Sequence, residues 1–415
     1  MSRFGEGRET LAPTLDSEGA RFPDPFAPAP LGPIRLKNRL IKAATFEGRA
    51  RRGEVTDSLI AFHRAFARGG VALTTLAYCA VSEDGRGAPN EIVVTRASLA
   101  GLSRLAEAVH EEGAAAAIQL GHAGPVGITV GQGLGPSRRF VARALRFLRA
   151  AEEADLRRIV RAFGEAAALA CDAGFDAIEL HFGHGYLVSA FLSPRLNRRR
   201  DAWGGGLPQR ARLAREIAAT VRERVGRSMA VIAKWNMSDG VEGGLTVSES
   251  LGAARLLEGD GHLDALELTG GSSFENPMFL FRGDVPLREM AAAFPVWLRL
   301  PFRLLGRRFL RAYPFEELFF LPFAREFRAA LRMPLILLGG VSRLENVRTA
   351  LREGFDFVAL GRALLREPDL VARWARGDVD RAACIHCNKC MATIYRGTHC
   401  VYVPAEQRPG FALKA

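Results

Sequence analysis

Residues 155–181 read DLRRIVRAFGEAAALACDAGFDAIELH, and this stretch decides the fold class. In its first part Leu156, Ile159 and Phe163 recur at spacings of three and four, which is typical of a helix with one buried face. Gly174 follows as a helix stop, and the short apolar run DAIELH after it predicts a buried strand. A helix that leads directly into such a strand is the repeating unit of a parallel sheet.

The same alternation extends over most of the 415 residues. Strand-like runs occupy residues 39–45, 71–77, 115–120, 176–181, 229–235, 264–269, 334–339 and 355–360. Eight strands separated by helices predict an α/β fold, a (β/α)8 TIM barrel over residues 26–380. The alternative, a doubly wound open sheet, would favour a Gly-x-Gly-x-x-Gly turn after the first strand, and the sequence has none there.

Two regions fall outside the alternation. Residues 1–25 are predicted to be a flexible lead-in, and residues 282–330 form a long helical insert between the sixth and seventh strands. The insert is rich in aromatic residues and leucine, and its arginines recur every four residues from Arg299 to Arg311. One interpretation is a lid over the barrel mouth, where long loops build active sites. The other is peripheral contact of residues 292–312 with a membrane surface.

Composition excludes several classes of protein. With 48% hydrophobic and 25% charged residues, the chain is globular rather than disordered. The net charge of +12 comes without a zinc-finger motif, an RNP motif or a basic arm, so nucleic acid is not the expected partner. The amino terminus lacks the apolar core of a signal peptide, and no apolar run reaches the roughly 18 residues of a spanning helix. A cytoplasmic protein is the expectation.

The fourth predicted strand ends in His181-Phe182-Gly183-His184-Gly185-Tyr186. In a barrel, functional side chains gather at the carboxyl ends of the strands. Two histidines suit a metal site if another strand supplies a third ligand. They also suit a pair of hydrogen-bond donors to a substrate oxygen, with Tyr186 as the proton donor. A buried histidine satisfied by the backbone is the structural alternative, but three polar groups in six positions favour a functional role.

Other strand ends carry one amide, one cation and two glycine turns. Gln119 and Lys234 stand in the third and fifth strands, Gly340 follows the seventh, and Gly361-Arg362 follows the eighth. Exposed backbone N–H groups after strands seven and eight commonly hold a phosphate in barrels. The set therefore suits a phosphorylated, flat heteroaromatic cofactor.

Several motifs resemble one family over roughly residues 25–376. They are LKNR at 36–39, IQLGHAG at 118–124, DAIELH at 176–181, HGYL at 184–187 and FLSP at 191–194. On these motifs the chain resembles the old yellow enzyme family of NADH:flavin oxidoreductases. The resemblance implies that Ala43, Ala44 and Thr45 lie against FMN through their backbone. It also implies that Gln119 reads the pyrimidine edge of the flavin, that Lys234 lies near N1, and that Gly340, Gly361 and Arg362 hold the phosphate.

The activity that the resemblance implies is reduction of an activated C=C bond in a small unsaturated substrate. NADH or NADPH would reduce the flavin, and flavin N5 would pass hydride to the β-carbon. His181 and His184 would anchor the electron-withdrawing group, and Tyr186 would protonate the α-carbon. Two other functions stay open at this point: an amine dehydrogenase or demethylase, and a flavin-binding protein without turnover.

Four of the six cysteines lie in a predicted carboxyl-terminal extension, residues 381–415. Cys384, Cys387, Cys390 and Cys400 supply the four thiolates that a [4Fe–4S] cluster requires, and zinc uses the same ligands. Their spacing resembles the iron–sulfur segment of the 2,4-dienoyl-CoA reductase and trimethylamine dehydrogenase branch, which implies a [4Fe–4S] cluster. Zinc and no metal are the alternatives.

Overall fold

The computed structural model describes residues 14–15, 21–127, 133–141, 146–273, 275–293 and 296–411. Eight strands form a closed barrel in chain order: β1 (Leu40–Lys42), β2 (Leu73–Ala80), β3 (Ala115–Gly121), β4 (Ala177–Phe182), β5 (Ala230–Asn236), β6 (Ala265–Thr269), β7 (Leu335–Leu338) and β8 (Phe357–Leu360). Every neighbouring pair is parallel, and β8 pairs with β1 to close the barrel. The predicted TIM barrel is confirmed.

Helices surround the barrel. They are α1 (Asp57–Arg68), α2 (Leu99–His110), α3 (Glu153–Asp172), α4 (Leu187–Leu192), α5 (Leu207–Val225), α6 (Val247–Asp260), α7 (Leu287–Ala293), α8 (Val296–Phe309), α9 (Leu321–Ala330), α10 (Leu344–Arg352), α11 (Arg362–Arg366) and α12 (Leu370–Arg376). The periodic residues of α3, such as Leu156, Ile159 and Phe163, are its buried face, as predicted. Helix α6 begins with a capping box of Thr246 and Glu249 and ends at Gly261 in the left-handed conformation.

The amino-terminal end of the barrel is closed by an antiparallel hairpin, Ala29–Leu31 with Ile34–Leu36. The hairpin packs against small residues that fill the barrel interior at this end, including Ala117, Ala177 and Ala230. Larger side chains such as Leu31, Ile232 and Phe357 belong to the same buried cluster, so this end of the barrel is closed by apolar contacts.

Two further small sheets of the described chain lie outside the barrel. Leu134–Gly135, Arg139–Val141 and Arg146–Ala150 form a three-stranded sheet between β3 and α3. Near the amino terminus, Thr14–Leu15 pairs with Arg21–Phe22. Residues 1–13 and 16–20 of the predicted lead-in lie outside the described residues, so its flexibility stays a prediction.

The segment after β6 is helical, as predicted. Helix α9 packs against α6 and β7 and takes the place of the ordinary sixth barrel helix. The predicted insert, residues 282–330, includes α9; residues 282–320, which precede this helix, are the additional segment. Within the described residues, no helix is long and apolar enough to cross a bilayer.

The carboxyl-terminal extension packs against this segment and against the loop after β1. The His386 ring stacks on Phe315 at 3.3 Å between ring centroids, and Asn388 Nδ2 donates to the Phe281 carbonyl oxygen at 2.6 Å. On the other side, the Thr398 backbone N–H donates to the Glu47 carbonyl oxygen at 2.7 Å. The extension is thus held at the carboxyl-terminal rim of the barrel.

Candidate active site

The three side chains predicted to be catalytic lie together at the end of β4. The His181 ring stacks on Tyr186 at 4.1 Å and meets the His184 ring edge-on at 5.2 Å between centroids. His184 has a left-handed backbone, with φ of 60°. Its Nε2 lies 2.9 Å from Thr269 Oγ1, and its backbone N–H donates to Asn236 Oδ1 at 3.3 Å. Strands β5 and β6 therefore hold the loop that follows β4.

Both imidazoles are neutral at pH 7. Burial, followed by the positive charge of Lys234, lowers the pKa of His184 to about 3. Burial, then His184 and Lys234, lowers the pKa of His181 well below its usual value. A neutral imidazole keeps one N–H donor, so each ring is able to donate to a substrate atom without carrying charge. Within the described residues no group of three or more His, Cys, Asp or Glu side chains is placed to hold a metal ion.

Tyr78, which the sequence analysis missed, completes the aromatic wall. Its ring centroid lies 5.1 Å from that of Tyr186 and 5.9 Å from that of His181. Its hydroxyl donates to the Gly85 carbonyl oxygen at 2.7 Å, which orients the buried ring. A Cβ at Gly121 would lie 2.3 Å from this ring, so the glycine of the GHAG motif makes room for it. Tyr78 directly follows the predicted second strand, residues 71–77, and this position at a strand end could have identified it as a site residue.

Beneath these rings lies a buried charged group that contains two of the predicted cofactor ligands. Lys234 Nζ donates to Glu179 Oε1 at 3.1 Å and to Glu267 Oε1. Gln119 Nε2 donates to the other oxygen of Glu179 at 2.5 Å. Each of the four residues is 3% exposed or less. One ammonium therefore faces two carboxylates, and the group carries net negative charge if both are ionised.

The protonation of this group follows from its burial. Burial alone would lower the pKa of Lys234, but Glu179 and Glu267 together raise it above its usual value. Burial, countered by Lys234 and reinforced by Glu267, raises the pKa of Glu179. Lys234 is thus held in its cationic form, and protonation of Glu179 would make the group neutral. Glu179 was detectable in the sequence, because it stands two residues before His181 on the same face of β4.

The segment predicted to lie along the flavin follows β1. The Ala43 backbone N–H donates to the Leu360 carbonyl oxygen at 2.9 Å, and Thr45 Oγ1 donates to the Ala43 carbonyl oxygen at 3.2 Å. Ala43 is buried, whereas Ala44 and Thr45 are half-buried at the barrel rim.

Glu47 anchors this segment from behind. Its buried carboxylate accepts from the Ala77 backbone N–H at 3.0 Å and lies 3.2 Å from His63 Nε2 and 3.8 Å from Lys42 Nζ. All of these groups are buried between β1, β2 and α1, so Glu47 fixes the position of the segment after β1 relative to these elements. The sequence offered no signal for this role.

The predicted phosphate residues lie after β7 and β8. A Cβ at Gly340 would lie 2.5 Å from the Leu318 nitrogen, so the additional segment packs directly on this turn. A Cβ at Gly361 would meet nothing within 4 Å. The Arg362 guanidinium donates to the Arg282 carbonyl oxygen at 2.8 Å and to Asn388 Oδ1, which joins this strand end to the cysteine extension. The phosphate roles stay predictions.

The four cysteines of the extension line one cavity of about 150 Å³. Arg362 and Arg366 contribute to its wall, and Arg366 Nη1 lies 3.9 Å from Cys400 Sγ. All four cysteines are free and half-buried. Cys384, Cys387, Cys390 and Cys400 therefore share one cavity with two positive charges, but no three of them are placed to hold a single metal ion.

The sequence and the fold match known proteins. The model of the NADH:flavin oxidoreductase / NADH oxidase family matches residues 24–264. The 4,4′-dithiodibutanoate disulfide reductase of Rhodococcus erythropolis is 52% identical over 395 residues, which cover 94% of this chain and 96% of that protein. The multifunctional alkene reductase/demethylase OYE of Caballeronia cordobensis is 29% identical over 392 residues, 92% of this chain and 53% of that protein. A 2-naphthoyl-CoA reductase structure superposes with a TM-score of 0.73 at 22% identity, over 90% of this chain and 58% of that one.

Proposed function

Because the chain belongs to the NADH:flavin oxidoreductase / NADH oxidase family, we propose that it is an FMN-dependent enzyme that reduces a small organic disulfide with NADH or NADPH. The observation that carries this substrate class is the identity of more than half, over nearly the whole of both chains, to a disulfide reductase. The balanced reaction is disulfide + NAD(P)H + H⁺ → two thiols + NAD(P)⁺. Bound FMN would supply the two electrons that it takes from NAD(P)H.

The buried charged group fits a flavin. An ammonium has three N–H donors. Two N–H groups of the Lys234 ammonium donate to Glu179 and Glu267, so the third N–H group would donate to a ring oxygen or nitrogen of the cofactor. Gln119 uses its Nε2 on Glu179 and keeps its carbonyl oxygen for a ring N–H. A cation beside the pyrimidine edge favours the reduced, negatively charged ring. These residues would therefore hold FMN.

The rim residues would bind the disulfide and supply a proton. Cleavage of an S–S bond by two electrons releases two thiolates, and one proton must be added beyond the hydride supplied by NAD(P)H. Tyr186 is half-buried and stacked on His181, and its phenol would be the proton donor to the departing sulfur. The neutral imidazoles of His181 and His184 would donate N–H bonds that stabilise the developing thiolate.

Thr269 positions His184 for this role. A Thr269 hydroxyl that donates to Nε2 at 2.9 Å leaves the ring N–H on Nδ1. Replacing Thr269 by Val would remove this selection of tautomer without changing the volume of the side chain substantially.

A second candidate is reduction of an activated C=C bond, which the His181, His184 and Tyr186 arrangement also supports. The same imidazoles would bind the carbonyl oxygen, and Tyr186 would protonate the α-carbon. The alkene reductase/demethylase among the relatives favours this candidate, although the present chain spans about half of that protein.

Amine oxidation has less support in the structure. An ammonium substrate is commonly bound by an aromatic cage. The aromatic rings beside the mouth instead surround Arg282, whose guanidinium carbon lies 4.9 Å from the Phe319 centroid, 5.3 Å from Phe279 and 5.8 Å from Tyr313. The chain's own cation occupies this aromatic cluster.

The cysteine extension is proposed to hold a [4Fe–4S] cluster. In such a cluster the four thiolates bind four different iron atoms, so the ligands surround a volume rather than a single ion. Four cysteines lining one cavity beside Arg362 and Arg366 suit that requirement, and the guanidinium groups would balance its negative charge. Metal analysis of anaerobically purified protein tests the proposal: four iron atoms per chain support it, and zinc or no metal contradicts it.

The substrate class is tested by anaerobic reoxidation of the reduced flavin. Protein reduced with one equivalent of NADH or NADPH is mixed with 4,4′-dithiodibutanoate or with 2-cyclohexenone. The disulfide is expected to reoxidise the flavin and to yield two thiols per flavin, measured with a thiol reagent. Reoxidation by the enone alone would replace the disulfide proposal with C=C reduction.

A further inference from the structure

Helix α8 presents an unusual surface to solvent. It packs on the protein through Leu298, Phe302 and Gly306, which are half-buried or buried and recur every four residues. Its outward face is apolar, and each side chain is more than half exposed: Val296 76%, Trp297 72%, Leu300 64%, Leu304 72% and Leu305 57%. Contiguous exposed apolar side chains of this size mark an interaction surface rather than an ordinary helix exterior.

All charged side chains between Glu289 and Glu316 are positive. The chain carries no Asp or Glu between Glu289 and Glu316. The arginines of this interval are Arg299, Arg303, Arg307, Arg308 and Arg311. All of them are exposed, and the first four belong to α8 itself. The apolar side chains are thus bordered by guanidinium groups, which bind phosphate oxygens in bidentate fashion.

We propose that α8 docks on the surface of an anionic lipid bilayer. Its apolar face would enter the boundary between headgroups and acyl chains, while the arginines contact lipid phosphates. At 14 residues the helix is too short to span a bilayer, so the contact is peripheral.

A second copy of the chain fits this face less well. A two-fold interface places the same patch of each copy against the other. The arginines of one α8 would then face those of its partner, with no acidic residue on either helix to neutralise them. Lipid phosphates supply the missing charge, and acyl chains supply the apolar environment.

The chain carries its own reporter for the contact. Of its four tryptophans, Trp297 is 72% exposed, whereas Trp203, Trp235 and Trp374 are 3% exposed or less. Titration of the flavin-loaded protein with phosphatidylcholine vesicles containing 30% phosphatidylglycerol (about one lipid in three, enough for a negative surface potential) should shift the tryptophan emission to the blue. Pure phosphatidylcholine vesicles should leave it unchanged. Trp297→Phe should lose the shift and still sediment with the anionic vesicles.

Two variants separate the contributions. Arg303→Gln/Arg307→Gln should weaken vesicle binding by roughly 20- to 30-fold, since each cation near an anionic surface contributes about fivefold. Leu300→Ser/Leu304→Ser should abolish the blue shift. The matched control, Arg157→Gln on the exposed surface of α3, should bind as the parent protein does.

Flavin absorbance and turnover without lipid should stay unchanged in all of these proteins, which shows that they are folded. Failure of the parent protein to bind anionic vesicles would overturn the proposal. So would a dimer in light scattering that the Leu300→Ser/Leu304→Ser variant dissociates, since that result would assign the face to a second copy. Binding that is indifferent to both double variants would place the lipid contact elsewhere.

Discussion

Lys234 is the cation on which the buried charged group depends, and its replacement by Met is the most informative single change. Glu179 and Glu267 are fully buried, and the methionine would remove the cation that donates to both of them, which leaves the charge of Lys42 as the remaining buried cation near them. Removing one partner of a buried ion pair typically destabilises a protein by about 3–5 kcal/mol. With about 2.1 cal/mol/K of unfolding entropy per residue, the 415-residue chain would lose about 3–6 °C in Tm.

The loss should depend on pH, and the direction is determined by the carboxylates. Burial already raises the pKa of Glu179, and loss of the opposing Lys234 would raise it further. The folded variant then binds more protons than the unfolded chain in the range between its raised folded pKa and the unfolded value of about 4.3. Its stability is greatest below that value and falls as pH rises. The parent protein shares this slope up to about pH 8, the pKa of its own Glu179, so the difference in Tm should stay nearly constant below pH 8 and widen between pH 8 and pH 9.5.

Thermal unfolding followed by circular dichroism at three pH values measures this effect. A second change, Glu267→Met in the Lys234→Met background, removes one of the two carboxylates and should recover more than half of the lost Tm. The conservative Lys234→Arg variant keeps the charge and should lose less than Lys234→Met. An unchanged Tm, or a drop that is equal at all three pH values and is not relieved by Glu267→Met, would refute the electrostatic reasoning.

Three further predictions concern the rim and the extension. Tyr186→Phe should lower kcat by at least about 100-fold, the usual contribution of a positioned proton donor, while FMN affinity stays unchanged in a fluorescence titration; equal turnover would refute the donor role. Since burial lowers the pKa of His184 to about 3, titration of this residue should not change kcat/KM between pH 5 and 8. A change of kcat/KM with pH in that range that disappears in His184→Asn would contradict the neutral state of His184. Gly48→Ala should release the cysteine extension, because a Cβ at this position would lie 1.8 Å from the Ile394 carbonyl oxygen. Gly113 is the control: it has a similar positive φ, but a Cβ there would meet open space. Gly113→Ala should therefore destabilise the protein by only about 1–2 kcal/mol through backbone strain. Limited proteolysis of the extension and metal content distinguish the two glycine variants.

The barrel was predictable because each strand is a short, fully buried run next to an amphipathic helix. The pattern of apolar residues shows which side chains become buried, and burial of apolar surface is the main driving force of folding. The rim residues were predictable for a related reason: His181, His184 and Tyr186 interrupt an apolar run at a strand end, where polar groups need a function or a partner.

The partners of those residues were not predictable from the sequence. Glu267 opposes Lys234 because β5 and β6 pair in one particular register, and that register depends on the closure of the whole barrel. Tyr78 and Glu47 reach the site from β2 and from the loop after β1, far from it in sequence. The exposure of α8 was equally hidden, since an amphipathic pattern identifies two faces without showing which partner each face meets.

We propose above all that this flavin oxidoreductase passes electrons from NAD(P)H to a disulfide. The most direct test of this proposal is a stoichiometric, anaerobic half-reaction: the flavin is bleached with one equivalent of NAD(P)H, the disulfide is added, and flavin absorbance and free thiol are recorded together. We expect full return of the absorbance and two thiols per flavin, with both rates reduced in Tyr186→Phe. A flavin that stays bleached with the disulfide, and is reoxidised only by an enone, would contradict it.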